Sequence, residues 1–141
     1  MSITSTSILQ KIFRVLLGIS LAFAGTGHLT FARVDFAAQV PTWLPVNTDL
    51  VVVLSGIVEI ALGLALIFLK KYRVEVGWIA AIFFVLVFPG NISQYMNHVD
   101  AFGLDTDAKR LTRLFFQPVL VAWALWATGA WAAWRLQRKR S

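Results

Sequence analysis

The fold class that this sequence predicts is all-α: an integral membrane four-helix bundle with N- and C-termini both cytoplasmic. Three observations carry it. Of the 141 residues, 58% are hydrophobic and 14% charged, with a mean hydropathy of +0.72, which is the balance of a membrane protein. Four apolar segments follow one another at about 12–31, 50–69, 76–96 and 114–134, each close to the ~20 residues that a helix needs to cross the hydrocarbon layer. Lys and Arg are also shared unevenly between alternate connections, as they are where positive charge is held on the cytoplasmic side. One membrane domain over 1–141 accounts for the whole chain, with no long polar tract for a separate soluble domain.

The first segment follows Lys11 and Arg14 and contains Ala22-Phe23-Ala24, which looks like a signal-peptidase site. The apolar run continues beyond it, so the segment is expected to be retained as the first span. The second segment is apolar except for Glu59 near its middle. In the third, Pro89-Gly90 is expected to loosen or kink the helix by freeing a backbone carbonyl. The fourth opens on Arg110, Arg113 and Gln117, spaced by three and four residues, with Pro118 behind them. Between the first two spans, 33–49 carries Phe36, Val40, Trp43 and Leu44 in a connection stiffened by Pro41 and Pro45, which predicts a lid lying on the interface.

Nine basic residues fall on one side (Lys11, Arg14, Lys70, Lys71, Arg73, Arg135, Arg138, Lys139, Arg140) and four on the other (Arg33, Lys109, Arg110, Arg113). That places both termini in the cytoplasm. Topology and anionic headgroups account for the net charge of +6, so membrane lipids are the expected partners and nucleic acid is not. Cysteine is absent, which removes disulfides, thiolate metal sites and dithiol relays. No haem or iron–sulfur spacing occurs and no metal site is predicted.

Glu59 is the residue that asks for an explanation. A carboxylate at bilayer depth costs at least ~2.5–3.5 kcal/mol on insertion scales, so it faces a protein interior, finds a partner or stays protonated. Gly56, Glu59 and Gly63 share one stripe, where small residues admit a neighbouring helix. His28 lies near the Gly18/Ala22/Gly25 face of the first span, and Asn91, Gln94 and His98 recur on the third. With Arg113 and Gln117, these groups are expected to converge on a polar cavity in the outer half of the bundle. His28 and Glu59 are the candidates for proton chemistry, and Asn91, Gln94, Arg113, Gln117 and Trp123 for holding a ligand. Most of them also have a plainer role: Asn91 and Gln117 as interhelical glue, His28 as a cap or in a hydrogen bond to a carbonyl, His98 as a solvated loop residue beside Asp100, and Trp123 as packing. Glu59 and Arg113 are expected to be coupled across the bundle, as a functional pair or a purely structural one.

The ordered run of Gly-x-Gly-His-Leu at 25–29, Pro-x-Trp-Leu-Pro at 41–45, Leu-Ser-Gly-x-x-Glu-Ile-x-x-Gly at 54–63, Phe-Pro-Gly-Asn-Ile at 88–92, Arg-Leu-x-x-Gln at 113–117 and Ala-Trp-Ala-Leu-Trp at 122–126 resembles the DoxX family of small membrane proteins. The resemblance implies a four-helix fold, a multi-pass protein of the bacterial inner membrane and an association with redox chemistry, since relatives include a subunit of a thiosulfate:quinone oxidoreductase. On that footing the expected function is an accessory, quinone-interacting subunit of a membrane redox complex. His28 and Gln117 would meet a quinone carbonyl, Glu59 would relay protons, and Phe84, Phe88 and Trp123 would hold the ring. Two alternatives stay open: a non-enzymatic membrane anchor or assembly chaperone whose polar cluster only fixes packing, and a small-solute carrier that a homo-oligomer would complete.

Overall fold

The computed structural model describes residues 5–30, 47–97 and 106–140, together with 37, 40, 43 and 45. Among them the structure is all helical. The 33–49 connection read as a lid lies outside the described residues except for 37, 40, 43, 45 and 47–49, and so do His98 and Asp100.

Helix α1 runs Ile8–Leu29. Its start is fixed by a reciprocal cap: the Gln10 backbone N–H donates to Ser7 Oγ at 3.1 Å, and the Ser7 N–H donates to Gln10 Oε1 at 2.8 Å, so two orphan donors of the first turn are satisfied. Helix α2, Thr48–Phe68, begins where Asn47 Oδ1 accepts from the Leu50 N–H at 3.2 Å. Both helices are long and apolar enough to cross a membrane. On α1, Ile12, Leu16, Ile19 and Phe23 stand exposed along one face, and on α2 Leu50, Leu54, Ile57, Leu64 and Phe68 do the same. Apolar side chains at that spacing, turned away from the core, suit contact with lipid.

A 3-10 turn, Lys70–Tyr72, leads into α3, Arg73–Leu86. The third apolar segment is not one helix: α3 ends at Leu86, and a separate helix α4, Phe88–Met96, starts with Pro89 in its first turn. Proline lacks an N–H and is tolerated there, but its ring blocks continuation of the helix before it. The break therefore falls at Val87, just ahead of the Pro89-Gly90 pair expected to cause it.

Helix α5, Asp107–Ala127, is capped by Thr106, whose Oγ1 accepts from the Lys109 N–H at 3.2 Å, and it carries Pro118 internally. The expected span at 114–134 does not continue through its end. Gly129 has φ of 75°, a conformation that costs other residues a Cβ clash, and helix α6, Ala130–Arg140, departs from α5 at 68°. Taken as one bent segment, α5 and α6 pass the same length and apolarity test as α1 and α2. Thr128 locks the corner. Its buried hydroxyl donates to Ala124 O at 2.6 Å and accepts from the Ala130 N–H at 3.3 Å.

Helices α1 and α2 pack antiparallel along a run of glycines. A Cβ placed on Gly18 would stand 2.7 Å from Gly63 O, and one on Gly25 would stand 2.6 Å from Gly56 O. Only hydrogen at those positions lets the backbones come this close, which is how helices associate where lipid supplies no hydrophobic drive. The core shared with the other helices contains Leu17, Leu21, Leu62, Leu66, Phe84 and Ala124. Helix α5 is tied to the first half of α1 by backbone contacts: Trp123 Nε1 donates to Phe13 O at 2.9 Å, and Gln10 Nε2 donates to Trp126 O at 2.7 Å.

Candidate functional site

The glycine run that draws α1 onto α2 also builds the polar site. Val52, Gly56 and Glu59 lie on one stripe of α2, and His28 of α1 lies across it. The His28 Cβ is 2.6 Å from where a Gly56 Cβ would stand. The missing side chain thus makes room for the imidazole. His28 Nδ1 is 3.1 Å from Val52 O, and Nε2 is 2.9 Å from Glu59 Oε2, with both residues buried.

A carbonyl only accepts, so the hydrogen-bond pattern assigns a hydrogen to Nδ1. Nε2 and Oε2, 2.9 Å apart, then need one proton between them, as imidazolium beside carboxylate or as imidazole beside carboxylic acid. In either form the pair is neutral overall. The contact is a close approach of the two atoms and not a well-aligned hydrogen bond, so electrostatics contributes more to it than directionality.

A second polar chain joins α3 to α5. Arg113 Nη1 donates to Gln117 Oε1 at 3.1 Å, and Gln117 Nε2 donates to Phe84 O at 2.6 Å. Phe84 sits in the last turn of α3, where carbonyls lack intrahelical N–H donors, so the Gln117 amide caps a helix end that the break at Val87 created. The Arg113 guanidinium also lies 5.7 Å from the centre of the Phe116 ring and within electrostatic range of Glu59. The expected Glu59–Arg113 pairing takes a different form: the ion contact of Glu59 is with His28, while Arg113 is held by Gln117.

His28 and Glu59 are brought together, with Arg113 and Gln117 next to them through that electrostatic link. Trp123 is not. Its indole N–H is engaged by Phe13 O and its ring packs edge-on against Phe13 at 5.9 Å, and Phe13 precedes His28 by fifteen residues of α1, about 22 Å of helix rise. Phe84 belongs to the apolar core. Asn91 and Gln94 lie on α4, and their side chains lie outside what is described. A quinone headgroup needs free donors for its carbonyls. His28 and Gln117, the two groups expected to meet those carbonyls, make contacts within the protein.

Two buried cations escaped the reading of the sequence. Arg14 and Arg73 served there only as markers of topology, yet both are buried in the fold. Their spacing held a signal, since Lys11/Arg14 and Lys70/Arg73 are each an i, i+3 pair on a helix or turn.

No curated protein and no solved structure matches this chain. The family model that does match covers residues 17–128 and is not that of DoxX, which overturns the resemblance drawn from the short motifs. Those motifs are mostly Gly, Pro, Trp and single polar residues, and among the described ones Gly25, Gly56 and Gly63 serve close helix approach and Pro89 a helix start, needs common to many small membrane proteins. With most of its length matched, the chain belongs to the family described as Domain of unknown function (DUF8561).

Proposed function

We propose that this protein is a non-enzymatic membrane anchor or assembly subunit, a multi-pass protein whose polar cluster sets the geometry of its helices. The observation that carries this reading is that His28, Glu59, Arg113 and Gln117 direct their polar atoms at one another and at the backbone carbonyls of Val52 and Phe84. A site built to act on a ligand keeps some convergent polar groups free for it.

In this proposal four segments cross the bacterial inner membrane: α1, α2, α3 continued by α4, and α5. Neither α3 nor α4 spans alone, at 14 and 9 residues, but they meet end to end at Val87. The start of α1 and the α2–α3 turn lie at the same end of the helices, because α1 and α2 are antiparallel and Arg14 lies near Arg73. The nine-to-four charge asymmetry puts that end in the cytoplasm. Helix α6 lies along the same surface, its Trp131 and Trp134 rings 4.9 Å apart and Arg138 5.1 Å from the Trp134 ring, an arrangement suited to the headgroup layer.

Titration of the purified protein with a short-chain quinone, followed by Trp fluorescence, tests the central choice. The anchor reading expects quenching that rises without saturation and is the same in His28→Gln. Saturable quenching that His28→Gln abolishes would replace it with the redox-subunit reading. Reporter fusions after Arg73 and after Arg140 should both report cytoplasm, and a signal from the other side at either place would refute the orientation.

A further inference from the structure

At the end of the helices remote from His28, Lys11 and Arg14 of α1 meet Lys70 and Arg73 of the α2–α3 turn around an open cavity of about 780 Å³. No acid is among the described residues that line it. Lys11 and Lys70 are exposed at its mouth, but Arg14 and Arg73 are only 4% and 8% exposed. The Nε atom of each of these two guanidiniums is buried without a hydrogen-bond partner. They also stand close enough to repel each other.

Two desolvated like charges with unsatisfied donors are a costly arrangement for a fold to keep. An anion placed between them removes both costs at once, by supplying opposite charge and acceptor oxygens. Helix α3 starts here, at Arg73, with no side-chain cap on its first turn and with the exposed Glu75 as the one acid of that turn, outside the cavity lining. Planar guanidiniums beside mobile ammonium groups match a tetrahedral oxyanion that several donors approach together, the arrangement by which proteins hold phosphate.

We propose that this cavity is a phosphate site, which takes the phosphate of an anionic phospholipid headgroup or the same group free in solution. The lipid source rests on α1 crossing the membrane. It is favoured by Ile12, Val15 and Leu16, which line the same cavity. Ile12 and Leu16 are half exposed on the face of α1 that suits lipid. A ligand with a charged head and an apolar body matches that wall, and a free ion uses only the cationic part.

The full-length protein, purified in a neutral detergent, is titrated separately with phosphatidylglycerol, phosphatidylcholine and inorganic phosphate, with the thermal unfolding midpoint as the readout. Phosphatidylglycerol should raise the midpoint saturably while phosphatidylcholine leaves it in place. Because Lys11 and Lys70 are exposed, the double variant Lys11→Gln/Lys70→Gln should fold normally and bind about tenfold more weakly, having lost two charge-assisted contacts. Arg14→Met should raise the midpoint of the anion-free protein, because it relieves a buried unpartnered charge, and should abolish the shift with lipid. The tail variant Arg138→Gln/Lys139→Gln should retain the full shift, which separates the cavity from general attraction to the basic tail. Inorganic phosphate that reproduces the shift alone identifies the free ion as ligand, whereas a response to phosphatidylglycerol only identifies the headgroup. No saturable shift with either, or a shift that Lys11→Gln/Lys70→Gln keeps in full, overturns the proposal.

Discussion

The two ends of the helix assembly treat buried charge in opposite ways. At one end, Glu59 meets His28, and Gln117 links Arg113 to a backbone carbonyl, so charge is balanced from within the chain. At the other end, Arg14 and Arg73 are buried at one cavity within electrostatic range of each other, with unpartnered Nε atoms and cationic neighbours. The first arrangement sets opposite charges against each other, though without an aligned hydrogen bond between His28 Nε2 and Glu59 Oε2; the second sets like charges together. Ionisable residues in a membrane helix therefore mark function only after their partners have been counted, and the more prominent one in this sequence, Glu59, is the better satisfied.

Removing one partner from the satisfied end should have the largest effect. His28→Leu leaves the Glu59 carboxyl facing an apolar surface and the Val52 carbonyl without its imidazole contact, and should destabilise the protein by about 3–5 kcal/mol. Thermal or denaturant unfolding in detergent measures it. A loss below that of an ordinary surface substitution would mean that Glu59 finds another partner and that the end is less committed than its geometry implies.

The glycine contact comes next. Gly56→Ala puts a Cβ 2.6 Å from His28 Cβ and 2.9 Å from Gly25 O, and backbone on one side leaves little room to yield. A cost of about 1–3 kcal/mol is expected, together with weaker coupling of His28 to Glu59. Smaller again is Gln117→Met, which uncaps the Phe84 carbonyl and releases Arg113 at similar side-chain volume, for about 1–2 kcal/mol. Gly129→Ala should cost about 1 kcal/mol, from the positive φ alone. If it costs nothing, the 68° turn into α6 is not held by that residue.

The sequence made the first two helices legible, because long apolar runs and the Gly56/Glu59/Gly63 stripe leave few ways to arrange them. The face that Glu59 presents to a neighbour could be read, but its partner could not. Opposite charge pointed to Arg113, whereas the rotation of α1 about its axis, set by Gly18 and Gly25 meeting Gly63 and Gly56, turns His28 onto the carboxylate instead. The interruption at Val87 was legible from Pro89-Gly90, but the corner at Thr128-Gly129 was hidden for a different reason: hydropathy runs unbroken through it, and only the local backbone chemistry of Gly129 interrupts the helix. Arg14 and Arg73 were hidden because charge counting treats a cation near a helix end as solvated, whereas in the fold both are buried beside one cavity.

The most direct test of the internally balanced end is a thermal-unfolding cycle of Glu59→Gln, His28→Gln and the double variant in detergent. If the two residues share one proton and hold α1 to α2, each single variant should lose stability and the double variant should lose clearly less than their sum, with a coupling of about 0.5–3 kcal/mol. Strict additivity would contradict the account, because it would mean that the two side chains, 2.9 Å apart, do not act on each other.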